Sequence, residues 1–150
     1  MNPQRRNALR LTALIALMAS TGLISNAEAA EWNKAAFDAK NLDDVLKALG
    51  GGKPESSGAV TLKAPDIAEN GAVVPVGIST TLNATHMAIL VEKNPSALAA
   101  TFTLPPGTLP FVTTRVKMGQ TSNVYALVKA DGKWFSAVKE IKVTLGGCGG

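Results

Sequence analysis

One cysteine, Cys148, and one histidine, His86, are all the thiol and imidazole chemistry in this chain. A structural zinc site uses about four such ligands and haem attachment uses a C-x-x-C-H run, so both are excluded. Aromatic residues are scarce at 5%, and Trp134 and Tyr125 fall in strand-like runs, where core or interface packing is their ordinary role. Runs of like charge are missing too. The whole chain is +4, but Arg5, Arg6, Arg10 and Glu28 lie in a leader-like segment, leaving +2 with twelve basic and ten acidic residues interspersed. That pattern offers no basic face to nucleic acid. No apolar run reaches the ~20 residues of a membrane-spanning helix.

The first 29 residues read as an export signal. Arg5, Arg6 and Arg10 precede an apolar stretch over 11–24, and Ala27-Glu28-Ala29 supplies the small-x-small cleavage site. The paired arginines followed by Leu9 and Arg10 are twin-arginine-like, the kind of signal that exports folded cargo. Ala8 and Gln4 depart from that motif, so the Sec route stays open. The expected organisation is an export signal over 1–29, a helical segment over 30–52, a β-sandwich over 53–145 and a flexible arm over 146–150.

Leu42, Val45, Leu46 and Leu49 form one apolar stripe at helical spacing. Asn41 with Asp44 three residues on is a capping-box-like start, and Gly50-Gly51-Gly52 ends the helix. Trp32 and Phe37 belong to an earlier turn or a first helical segment. Beyond Gly58 short runs of Val, Ile and Thr recur near 59–63, 72–80, 86–92, 99–104, 110–118, 123–129 and 133–145. Asp131-Gly132 is a tight-hairpin signal, and Pro75 inside a run argues for an edge or a bulge. The fold class is therefore all-β, an immunoglobulin-like antiparallel sandwich with a short N-terminal helix, against which a barrel is the competing architecture.

The chain ends Gly146-Gly147-Cys148-Gly149-Gly150. Four glycines cost more to order than any other tail, so this one is expected to stay free, reaching roughly 10 Å beyond the sandwich. Such a tail cannot hold Cys148 against His86 as a catalytic dyad, and no catalytic residue is assigned. The nearest base is Lys142 and the terminal carboxylate is two residues away, so nothing in the tail favours the thiolate. Cys148 then reads as a passenger thiol that partner enzymes activate, on a thin stalk that enters their active sites. Two alternatives remain: an intermolecular disulfide through Cys148, and an adhesion or ligand-binding sandwich that ignores the tail.

Residues 114–150, T-R-V-K-M-G-Q-T-S-N-V-Y-A-L-V-K-A-D-G-K-W-F-S-A-V-K-E-I-K-V-T-L-G-G-C-G-G, resemble the SoxY family of sulfur carriers. Residues 64–76 and 91–95 support the likeness, and the terminal G-G-C-G-G is its specific part. The resemblance implies a periplasmic carrier in thiosulfate oxidation, with the carrier cysteine at Cys148 and the arm at Gly146, Gly147, Gly149 and Gly150. It implies a heterodimer with SoxZ. It also implies loading by the haem cytochrome SoxAX, sulfate release by the hydrolase SoxB, and further oxidation by the sulfane dehydrogenase SoxCD. It further implies a carrier that binds no cofactor and is itself no enzyme. The strand at Pro75 and the apolar surface near Trp134 are where a partner is expected to sit.

Overall fold

The computed structural model describes residues 33–144. Among these residues two short helices come first, α1 (Lys34–Asp38) and α2 (Leu42–Ala48). Phe37 thus lies in a first helical segment, and Trp32 is outside the described residues. The break between the helices is at Ala39, whose backbone is extended at φ −64°, ψ 139°, and whose carbonyl accepts the Ala97 amide at 3.1 Å. Asn41 caps α2 by accepting the Asp44 amide at 2.9 Å, and the Asp44 carboxylate accepts from the Asn41 side-chain amide at 2.8 Å. Asp43 and Asp44 also sit in the first turn, where the helix dipole favours them. At the other end Gly51 N–H reaches Leu46 C=O at 2.8 Å and Gly50 N–H reaches Lys47 C=O at 3.0 Å. With Gly50 at φ 70°, this is a Schellman stop, the reason a glycine stands there.

Among the described residues nine strands follow: β1 (Glu55–Ser56), β2 (Val60–Lys63), β3 (Ile67–Ala68), β4 (Val74–Thr80), β5 (Ala84–Val91), β6 (Leu98–Thr103), β7 (Phe111–Val116), β8 (Ser122–Ala130) and β9 (Lys133–Val143). The seven expected runs are all strands; β1 and β3 are additions too short to carry a period. They form two open sheets, one ordered β1-β9-β8-β5-β6 with β3 also on β9, the other β2-β4-β7. The pairing is antiparallel throughout except that β1 and β3 run parallel to β9, which corrects the all-antiparallel expectation. Asp131 (φ 49°) and Gly132 (φ 75°) close the β8–β9 hairpin with Ala130 opposite Lys133, the two left-handed residues a tight primed turn requires. Pro75 does not lie on an edge strand, since β4 is the middle of its sheet. β2, however, pairs β4 only over Gly77–Thr80, so at Pro75 the strand has a partner on one side alone.

Alternation along β5 and β8 divides the apolar residues between two cores. Met87, Ile89 and Val91 with Val124, Ala126 and Val128 face the small sheet, meeting Val74, Val76, Ile78 and Val116. Ala88, Leu90 and Leu127 face the other way, onto Ala36, Val45 and Leu46 of the helices. Because both faces are covered, β5 is buried continuously from Met87 to Val91 and shows no polar alternation. Trp134 belongs to the helix-side core and is 5% exposed. The expected apolar partner surface at Trp134 is therefore corrected: the chain's own helices and Gly51 cover it, and a Cβ on Gly51 would lie within 3.0 Å of the indole. Pro75 remains exposed, beside Phe111 and Lys63 on the outer face of the small sheet.

Candidate functional site

Cys148 and the glycines Gly146, Gly147, Gly149 and Gly150 lie outside the described residues. What the structure describes is the ground they spring from. The last three described residues, Lys142, Val143 and Thr144, have each backbone N–H taken up, on alternating sides. Lys142 N–H donates to Asp66 C=O at 3.0 Å and Thr144 N–H to Ala68 C=O at 3.2 Å, both toward β3. Between them Val143 N–H donates to Thr121 Oγ1 at 3.0 Å, on the β8 side. The last backbone pair of that ladder is Ser122 with Ile141, so the threonine hydroxyl extends the ladder past its end.

The β3 side is fixed in turn by Lys139. Its Nζ donates to Ala64 C=O at 2.6 Å and lies 2.9 Å from Asp66 Oδ1, bridging the stretch of β9 between β1 and β3. The pair is half-open to water, with the lysine side chain 33% exposed and the aspartate 89%, so its worth is positional more than energetic. Beneath the strand end Gly71 packs against Met118 and Val143, and Met118 N–H donates to Gly71 C=O at 2.6 Å. None of Asp66, Ala68, Gly71, Thr121 and Lys139 was singled out from sequence. In sequence they stand only inside the stretches 64–76 and 114–150 that carry the family resemblance, with no role of their own, because they act through contacts more than twenty residues distant.

His86 lies in β5, with Nδ1 3.1 Å from the Thr85 hydroxyl, as a strand histidine with a local hydrogen bond. Burial and then the positive charge of Lys129 hold its pKa below the ordinary 6.5. Tyr125 is shifted up, first by burial and then by Glu92. Among the described residues no cluster of three or more His, Cys, Asp or Glu side chains is placed to hold a metal ion. No helix among them is long and apolar enough to cross a membrane.

The described residues thus form a two-sheet β domain with one face covered by helices and its last strand held on both sides. The family model of the sulfur oxidation protein SoxY matches residues 46–148, from the middle of α2 to the cysteine. The solved structure of the sulfur carrier protein SoxY from Chlorobium limicola f thiosulfatophilum is 42% identical, at a TM-score of 0.63, over 75% of this chain and 100% of its own. The chain belongs to the SoxY family of sulfur carriers. A substituted form of the superoxide reductase (neelaredoxin) from Ignicoccus hospitalis is 20% identical at a TM-score of 0.52, over 57% of this chain and 80% of its own. Another substituted form of the same reductase is 18% identical at 0.51, over 71% and 91%. These two likenesses are of fold alone. No curated protein matches.

Proposed function

We propose that this chain is an exported sulfur carrier that holds thiosulfate-derived sulfur covalently on Cys148 and presents it to partner enzymes. The observation that carries the reading is the family match, which runs to residue 148, the position of the chain's single cysteine. The anchored end of β9 supports it, since a passenger thiol needs a fixed root as much as a free tip. In the loading step the thiolate sulfur bonds to the outer sulfur of thiosulfate, giving Cys–S–S–SO3⁻ and passing two electrons to the haem cytochrome SoxAX. Hydrolysis by SoxB adds water and releases sulfate, leaving a persulfide and two protons. SoxCD takes six electrons from that sulfane sulfur while three waters supply its oxygens, giving Cys–S–SO3⁻ and six protons, and a second hydrolysis releases sulfate and frees the thiol. The chain performs none of these steps, and a covalently held intermediate cannot diffuse away between them.

Intact-mass measurement after exposure to thiosulfate and the cytochrome tests this. Reductant-removable additions on the peptide containing Cys148 are expected; a disulfide homodimer as the sole modified species would overturn it in favour of a structural crosslink. Residues 1–29 are removed on export to the periplasm, so sequencing the periplasmic form should begin at Ala30; retention of the leader there would refute the signal. The sheet orders β2-β4-β7 and β9-β8-β5-β6 follow a seven-stranded immunoglobulin sandwich in which the fourth strand of the A-B-E-D sheet lies instead beside the C-F-G sheet, which supports that finer reading of the fold. SoxZ is the partner sandwich, expected as a one-to-one complex on co-expression. A monomer indifferent to SoxZ in size-exclusion chromatography would remove it.

A further inference from the structure

We propose that the open edge of β7 is a docking site for an extended, acidic segment of a partner protein, which joins the small sheet as its next strand. On one side of the domain both sheets end, one on β6 and the other on β7. The two edges differ. β6 carries an extra residue at Ala99, because Ile89 pairs Ala100 while Leu90 pairs Leu98, and such a bulge is a common way to blunt an edge. β7 keeps one register with β4 from Phe111 to Val116, with no such shift. The phase of its backbone is set at one end by Thr80 N–H, which donates to Pro110 C=O at 3.2 Å. Bonded pairs alternate along an antiparallel ladder, so Val112, Thr114 and Val116 face β4, while Thr113 and Arg115 turn N–H and C=O outward. Pro75 agrees with this phase, standing opposite Arg115 where no N–H is owed to β7. So does Lys117, whose carbonyl accepts the Asn94 side-chain amide at 2.7 Å from the open side.

Beside this edge runs a cleft of about 370 Å³, with Leu98 and Ala99 of β6 on one wall and Thr114, Arg115 and Lys117 on the other. Among the described residues its lining holds no carboxylate, and neither Arg115 nor Lys117 is in an ion pair. Successive side chains of a strand point to opposite faces. An added strand therefore sets alternate residues toward the apolar wall and the others beside Thr113 and Arg115, both exposed. Its backbone takes up the outward N–H and C=O groups of Thr113 and Arg115, and aspartate or glutamate at the outward positions meets the two cations. A second copy of β7 is the weaker fit, since it brings two more cations to a site that already holds two. Charge selects the occupant and backbone pairing holds it. The inference does not depend on what Cys148 carries.

The test uses the full chain with Cys148 reduced, isotope-labelled for nuclear magnetic resonance, and a short peptide alternating valine with glutamate. On adding the peptide, the amides of Thr113 and Arg115 should shift and exchange their hydrogens more slowly. Those of Val112, Thr114 and Val116, already bonded to β4, should change little, an alternation that ion pairing at the surface does not produce. The same peptide with lysine in place of glutamate should bind about tenfold more weakly or worse. Thr113→Pro removes an outward N–H and leaves the β4 ladder intact, as an edge strand tolerates, and should weaken binding by about tenfold. Arg115→Glu should reverse the preference between the two peptides, and it carries the test if Thr113→Pro does not fold. Absent binding, or equal binding of both peptides, would overturn the proposal. Shifts without slowed exchange at Thr113 and Arg115 would overturn it in favour of a site for small anions. A dimer that forms at high concentration in sedimentation and is lost in Thr113→Pro would overturn it in favour of self-association.

Discussion

Gly71→Ala is the substitution on which the account of the arm's root can be judged most sharply. Gly71 is outside any strand and its φ is not left-handed, so alanine meets no conformational penalty there. The cost is contact alone. A Cβ at this position would lie well inside 3.0 Å of the Met118 carbonyl oxygen and 2.9 Å from Val143 Cγ1. The first of these is backbone, which cannot swing aside as a side-chain tip can. Relief requires the loop at residue 71 to move outward, which stretches the 2.6 Å hydrogen bond from Met118 N–H to Gly71 C=O. Overpacking of this kind costs about 1–3 kcal/mol, and a lost hydrogen bond adds about 1 kcal/mol. For a body of this size each kcal/mol lowers Tm by about 4 °C, so a fall of roughly 8–16 °C is expected in a calorimetric melt. Gly50→Ala is the contrasting control: its Cβ would have nothing within 4 Å, and its cost comes from φ 70°, about 1–2 kcal/mol. A Gly71→Ala protein that melts within about 2 °C of wild type would refute the packing argument.

Replacing Gly146 and Gly147 together with valine should leave the melting curve within about 0.5 kcal/mol while impairing turnover by the cytochrome and hydrolase. Unchanged turnover would mean the glycines are incidental. Leu46→Ala removes a buried anchor of the helical layer against Trp134 and should cost about 2–5 kcal/mol in urea denaturation, whereas a cost under 1 kcal/mol would mean the helices do not seal that face. Because the folded-state pKa of His86 lies below 6.5, the unfolded chain binds the proton first. Its share of stability is therefore full above pH 6.5 and is lost as pH falls from there through the lower folded value. His86→Asn should flatten the difference in Tm between neutral and mildly acidic buffer; an identical slope in the variant would assign the effect elsewhere.

What the sequence determined by itself is what a few neighbouring residues decide. The Asn41 cap, the glycine stop after α2 and the Asp131-Gly132 turn are local choices of backbone angle and hydrogen bond, complete within about six residues. The seven longer strands were legible because β-branched residues between turn residues fit a pleated, half-buried surface whatever lies opposite. The single cysteine too is legible only there, since Cys148 lies outside the described residues. Tertiary structure decided the rest. Trp134 reads equally well as core or as interface until the helices are seen to lie over it. Ile67–Ala68 is a strand only because β9 passes beside it, with Ala68 opposite Val143 across most of the domain's length. Thr121 and Lys139 gain their meaning in the same way, as acceptor and donor chemistry waiting for a partner that local sequence does not contain. Parallel pairings and side-chain bridges between distant segments leave no period in the chain, because each depends on two stretches meeting in space.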